Sequence, residues 1–188
     1  MWKKQLQPNV KNPSDELKAE ADELRKVMHR LIGETLNSFN ILEDFIRTCI
    51  ANLLNIDDVP VIETLFGKLG SKQLIDTFDS LAITDTSDDV QLDEKRKKVL
   101  LRLTERAKER NMVVHAIWGI EFVNNESVGM YHTRYTKRNE KNPYGSISNS
   151  FSEKEFRELI AKAEETYILL ASLRKDILQH HPRIRGSH

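Results

Sequence analysis

Residues 91–135, QLDEKRKKVLLRLTERAKERNMVVHAIWGIEFVNNESVGMYHTRY, change periodicity partway along. In the first part Val99, Leu100, Leu103, Ala107, Val113 or Val114, and Ile117 recur at helical spacing. That spacing predicts the longest clear helix of the chain, running from roughly Gln91 to Trp118. Beyond it, Ile120-Glu121-Phe122-Val123, the polar Asn124-Asn125-Glu126-Ser127 and the run Val128 to Tyr135 read as a β-hairpin.

Upstream, Ser14 is a plausible N-cap ahead of Asp15 and Glu16. From there to Leu54, apolar positions recur at Leu24, Val27, Met28, Leu31, Leu36, Phe39, Leu42, Ile46, Ile50 and Leu53. Gly33 interrupts them, so two helices or one bent helix are expected. Asn55 to Pro60 reads as a turn, Val61 to Leu69 as a short helical turn, and Ser71 as the cap of a further helix. Thr84 to Asp89 reads as an acidic loop. Downstream, Lys137 to Asn149 is charged and rich in Gly, Asn and Ser, which predicts an exposed, mobile segment. A last helix starts near Ser152, with Glu155 as capping-box partner, and continues to about Leu178.

The expected fold is therefore mainly α. An antiparallel bundle of about four to five helices carries a small β-hairpin, at about 120–136, before the C-terminal helix. Residues 15–181 are expected to form a single domain behind a flexible N-terminal arm at 1–14. Residues 185–188 resemble a tag remnant.

Composition narrows the function classes. Lys plus Arg equals Asp plus Glu at 29 each, so the whole chain exerts no electrostatic pull on nucleic acid. A single cysteine, Cys49, excludes an intramolecular disulfide and any cysteine-based metal cage. Its apolar surroundings predict a buried thiol. No stretch has the length of a membrane span and the N-terminus lacks a signal-peptide run, which predicts a cytoplasmic protein. No His/Asp/Glu cluster shows metal-ligand spacing, so no metal or other cofactor is expected.

Chemistry concentrates in Arg110-Asn111-Met112-Val113-Val114-His115. On a helix Asn111 and His115, four apart, project from nearly the same face. Arg110 and His115 are turned about 140° from each other, an angle that arginine's long stem or a second copy of the helix can close. Histidine, with an ordinary pKa of about 6.5, can move protons near neutrality. A guanidinium fork can hold the charge that gathers on phosphate oxygens when an RNA 2′-hydroxyl attacks phosphorus. Asn111 can orient the imidazole or bind a phosphate oxygen. The same trio also suits a structural cluster, with Arg110 paired to a carboxylate and His115 satisfying a buried carbonyl.

Local charge favours a polyanion. Glu94 to Arg110 holds eight basic and three acidic residues, a net of +5. Arg134, Lys137, Arg138 and Lys141 form a second basic stretch interleaved with Tyr131, Tyr135 and Tyr144, and such mixtures hold phosphates and stack bases. Arg106, Arg134, Lys137 and Tyr131 are the candidate substrate-binding residues. Glu43, Asp44 and Arg47 read as solvated or paired, and Trp118 as a packing anchor.

The Arg-polar-x3-His string late in a helical bundle resembles the Arg-x4-His signature of HEPN domains. Leu42-Glu43-Asp44-Phe45-Ile46-Arg47 on a preceding helix, a following Trp118, a hairpin and a terminal helix extend the likeness over roughly 17–178. The resemblance implies a metal-independent endoribonuclease with catalytic Arg110, Asn111 and His115, assembled as a homodimer that pairs the two motifs. It also implies RNA as substrate, a role in toxin or abortive-infection defence, and room for an antitoxin or regulatory partner. Family toxins modified by a nucleotidyltransferase carry a tyrosine shortly after the histidine. Ile117 and Trp118 stand there instead, so that form of control is not expected. The alternative within the resemblance is a non-catalytic module binding RNA, nucleotide or protein.

Overall fold

The computed structural model describes residues 13–123, 127–135 and 146–180. Along them run α1 (Asp15–Leu53), α2 (Val59–Phe66), α3 (Ser71–Thr86), α4 (Val90–His115), β1 (Ile117–Val123), β2 (Ser127–Tyr135), β3 (Ser146–Ser150) and α5 (Glu153–His180). The fold is mainly helical, with a small antiparallel sheet before the final helix, as the periodicities predict. Most of the expected arm, the hairpin tip at 124–126, the stretch 136–145 and the tag-like end lie outside the described residues.

The helix ends follow local chemistry. At the start of α1, the Ser14 hydroxyl accepts from the Leu17 N–H at 3.2 Å, and Asp15 and Glu16 complement the positive end of the helix dipole. Asn55, in the left-handed region at φ 55°, stops the same helix. Its N–H donates to the Asn52 carbonyl at 3.1 Å and that of Ile56 to Ala51 at 2.9 Å, the hydrogen-bond pair of a Schellman cap. Between these ends α1 is one helix, so Gly33 does not divide it. A Cβ there would meet nothing within 4 Å, so the glycine costs only helix propensity, about 1 kcal/mol. Burial of Met28 and Leu31 before it, and of Leu42, Ile46 and Ile50 after it, outweighs that cost.

Several boundaries differ from the expected ones. Helix α2 already begins at Val59, where Asp58 caps the Val61 N–H at 3.3 Å and Pro60 occupies a first-turn position that needs no donor. Ser71 is not a cap: Gly70 takes that position and the Ser71 hydroxyl bonds Glu43 instead. Helix α3 continues into the expected acidic loop as far as Thr86, whose buried hydroxyl donates to the Ala82 carbonyl at 2.9 Å. Helix α4 stops at His115, not Trp118, and α1 rather than α4 is the longest helix. Trp118 instead sits in β1 and its indole N–H donates to the Val113 carbonyl at 3.0 Å, satisfying an acceptor that the helix end leaves free.

The hairpin pairs Ile117↔Thr133 through Val123↔Ser127, longer at its start than the sequence suggests. Its third neighbour, β3, was not expected. Ser146–Ser150 pairs with β2 in the register Tyr135↔Ser146 through Tyr131↔Ser150, and the Thr133 and Ser148 hydroxyls meet at 2.6 Å. The polar sequence of β3 gives no alternating apolar signal, so backbone pairing makes this strand.

Two compact units divide the described chain. The first holds 13–36 and the described part of 112–159; the second holds 37–111 and 160–180. In the first, Met28, Leu31, Met130 and Phe156 form a core joined by Trp118 and Phe151. Trp118 lies 5.0 Å from the Phe156 ring centre and 5.2 Å from that of Phe151, spacing typical of packed aromatic pairs. In the second, Leu42, Ile46 and Ile50 of α1 pack with Leu74 and Phe78 of α3, Val99 and Leu103 of α4, and Leu170 and Leu173 of α5. Each such enclosed side chain contributes about 1.5–3 kcal/mol.

Candidate functional site

The motif lies along the last turns of α4, and its residues are taken unit by unit: Arg110 and Asn111 belong to the second, His115 to the first. Arg110 is 29 % exposed and its Nε stands 3.0 Å from Glu43 Oε1. The enclosed Nε–H meets no acceptor in hydrogen-bond geometry, so the contact is an attraction between charges. Glu43, 12 % exposed, accepts in turn from the Ser71 hydroxyl. A cavity of ≈ 10 Å³ lined by Glu43, Ser71, Arg106 and Arg110 lies among these groups. Asn111 is exposed at the next position.

Arg106 does not present its guanidinium to solvent. It is 5 % exposed, with Nε 3.0 Å from Glu109 and a terminal nitrogen 3.5 Å from Glu105. Burial, with a smaller push from Glu105, raises the Glu109 carboxyl above its ordinary pKa against the pull of Arg106 and Lys162. Arg96 is also enclosed, paired with Asp79 and with Asp93 at 2.6 Å. Lys97, and after it Arg96, hold the Asp93 carboxyl below its usual range by hydrogen bonds.

The spacing of α4 explains these burials. Leu92, Arg96, Val99, Leu103, Arg106, Arg110 and Val113 recur at steps of four and three, so three arginines occupy positions on the apolar seam. Six of the eight basic residues between Glu94 and Arg110 are ion-paired: Lys95, Arg96, Lys97, Arg102, Arg106 and Arg110. Among the described residues only Lys98 and Lys108 of this run have no such partner, so most of the local positive charge is neutralised internally.

His115, in the other unit, is the exposed last residue of α4, beside exposed Val114 and Ile117. Arg134 is exposed on β2, opposite Ile147 of β3. The Tyr131 ring lies across Gly119, where an added Cβ would come within 2.6 Å of it. Lys137 lies outside the described residues. His132 is 6 % exposed and ringed by Trp118 at 5.2 Å and Phe151 at 5.5 Å. Its Nδ1 has no hydrogen-bond partner among the described residues. Burial lowers its pKa, Arg134 lowers it further and Glu155 opposes them.

The sequence reading missed Glu43 as the partner of Arg110. A signal was present, because Glu43 follows Phe39 by four and precedes Ile46 by three, placing a carboxylate on the apolar face of α1. Among the described residues no three His, Cys, Asp or Glu side chains gather as a metal-ion cage, and no helix is long and apolar enough to cross a membrane. Compared with protein-family models, curated proteins and solved structures, the chain gives no match.

Proposed function

We propose that the chain is a metal-independent endoribonuclease of HEPN type that acts as a homodimer. The observation that carries this reading is the string Arg110-Asn111-x3-His115 at the end of α4, with Asn111 and His115 four apart and both exposed. In this scheme His115 takes the proton of an RNA 2′-hydroxyl, and that oxygen attacks the adjacent phosphorus. The bond to the 5′-oxygen breaks and the leaving oxygen takes up a proton, from the second His115 of the dimer or from water. A 2′,3′-cyclic phosphate and a 5′-hydroxyl result. Arg110 steadies the phosphate oxygens, and Asn111 orients the imidazole or a phosphate oxygen. The resemblance places such an enzyme in cytoplasmic toxin or abortive-infection defence, under an antitoxin or another regulatory partner.

A second reading is favoured by the internal pairing of six basic residues on α4, which leaves little free charge to hold a polyanion. It makes the chain a non-catalytic helical module that binds a less charged partner. Single-stranded RNA incubated with the protein in excess EDTA separates the two. The nuclease reading expects cleavage to cyclic-phosphate ends, lost in His115→Ala while RNA affinity is largely kept, and reduced together with binding in Arg110→Ala. Arg110→Lys recovers only part of that loss, because an ammonium lacks the planar fork. Cleavage by folded His115→Ala at the wild-type rate, or a stable monomer in light scattering at micromolar concentration, counts against the nuclease.

A further inference from the structure

Glu43 occupies an unfavourable place for a carboxylate. It lies on the apolar face of α1, is 12 % exposed, and its near neighbours in sequence on that face, Phe39, Leu42 and Ile46, are all buried. An ionised group there is tolerated only with partners, and it has two. Ser71, the first residue of α3, donates its hydroxyl, and Arg110 of α4 supplies the charge. Three helices thus converge on one side chain. The contact to Arg110 is made through Nε, on the inner side of the guanidinium.

We propose that Glu43 is a positioning residue, which pins Arg110 by its Nε so that the terminal fork is held ready for a phosphate group of the RNA, with Ser71 fixing Glu43. This rests on the nuclease reading. A free arginine samples many rotamers, and each must be given up when it grips a substrate. Holding the stem in advance removes that cost and fixes the fork where charge develops in the transition state. Arg110 keeps its proton beside the carboxylate, because a guanidinium does not deprotonate in a protein, so its terminal N–H groups remain donors. Glu43 touches no reacting atom in this scheme, so its influence runs through Arg110 alone.

The test uses the full chain with Glu43→Gln, which keeps the size and an acceptor for Ser71 and removes the charge. The solvent-exchange rate of the Arg110 Nε–H, read by ¹H–¹⁵N NMR, reports the pinning without reference to activity. Exchange is expected to quicken at least about ten-fold, and kcat on single-stranded RNA to fall about ten- to a hundred-fold with KM nearly unchanged. Glu43→Asp, with a shorter reach, is expected to recover part of both. Wild-type exchange and wild-type kcat in folded Glu43→Gln overturn the proposal, as does a KM rise that accounts for the whole loss. If Glu43→Gln does not fold, Ser71→Ala decides: faster Nε–H exchange supports the pinning and an unchanged rate overturns it. If the wild-type protein cleaves no RNA, the nuclease reading fails with the positioning role, while the exchange measurement still tells whether Glu43 holds Arg110.

Discussion

In the unit built from 37–111 and 160–180, Arg96 and Arg106 are 4 % and 5 % exposed, and each stands against two carboxylates. In the other unit His132 is similarly enclosed, at 6 %, but among the rings of Trp118 and Phe151 and with no partner for Nδ1 among the described residues. The contrast follows from proton chemistry. An arginine cannot shed its charge, so burial requires counter-ions to be buried with it. A histidine can become neutral, so an aromatic cage suffices, provided that the surroundings stay above the pH at which the ring takes a proton. One unit is therefore built around fixed charges and the other around a conditional one.

Removing Phe156, fully enclosed at the centre of the aromatic cluster, should have the largest effect. Phe156→Ala is expected to cost about 3–5 kcal/mol, seen as a lowered urea midpoint; a loss under 1 kcal/mol means that the cluster is not what holds the first unit. Next comes Arg96→Ala, which strands Asp79 and Asp93 and is expected to cost about 2–3 kcal/mol. That is at or below the range for enclosed pairs, because Asp79 is 42 % exposed. If Arg96→Met proves as stable as the wild type while Arg96→Ala does not, the stem rather than the charge supplies the stability.

A smaller effect, of opposite sign, is expected at Gly33. A methyl group meets open space there, so Gly33→Ala should raise stability by about 1 kcal/mol; destabilisation would mean that the helix needs the glycine. The smallest effect is the pH dependence from His132, since Glu155 opposes the other two influences. Its pKa in the folded state lies below the ordinary 6.5, so the folded protein favours the neutral ring. The contribution to stability is whole above that ordinary value and is lost as pH falls from it through the lowered folded value. Urea midpoints should therefore decline on acidification more steeply in the wild type than in His132→Phe. Equal slopes would show that the ring takes its proton without penalty.

Where local chemistry decides the structure, the sequence was readable. Ser14 and the Ser152–Glu155 box mark helix starts, the latter with the Ser152 N–H donating to Glu155 at 2.7 Å and the Glu155 N–H to the Ser152 hydroxyl at 3.3 Å. The alternation of 120–135 announced the hairpin, and Arg110, Asn111 and His115 stood out by type and spacing. What escaped depended on partners distant in the chain. Ser146–Ser150 becomes a strand only because β2 offers it a backbone edge. The acidic stretch after Ile83 reads as a loop until Thr86 is seen to be buried. By type Arg106 reads as one more cation of a basic run, whereas its seam position on α4 encloses it against Glu105 and Glu109. The pairing of Glu43 with Arg110 joins two helices distant in sequence, and no local pattern on either one names the other.

Cys49, the single cysteine of the chain, is 2 % exposed, and burial pushes its thiol up to about 12. At neutral pH the thiol is thus both hidden and protonated, so a disulfide reagent cannot reach it and meets no thiolate nucleophile. Labelling then proceeds only through openings that release the core around α1, and its rate counts them. With one thiol there is one signal and no ambiguity about its source. The native chain therefore carries its own chemical clock for breathing motions of the second unit, readable by mass spectrometry without any introduced probe.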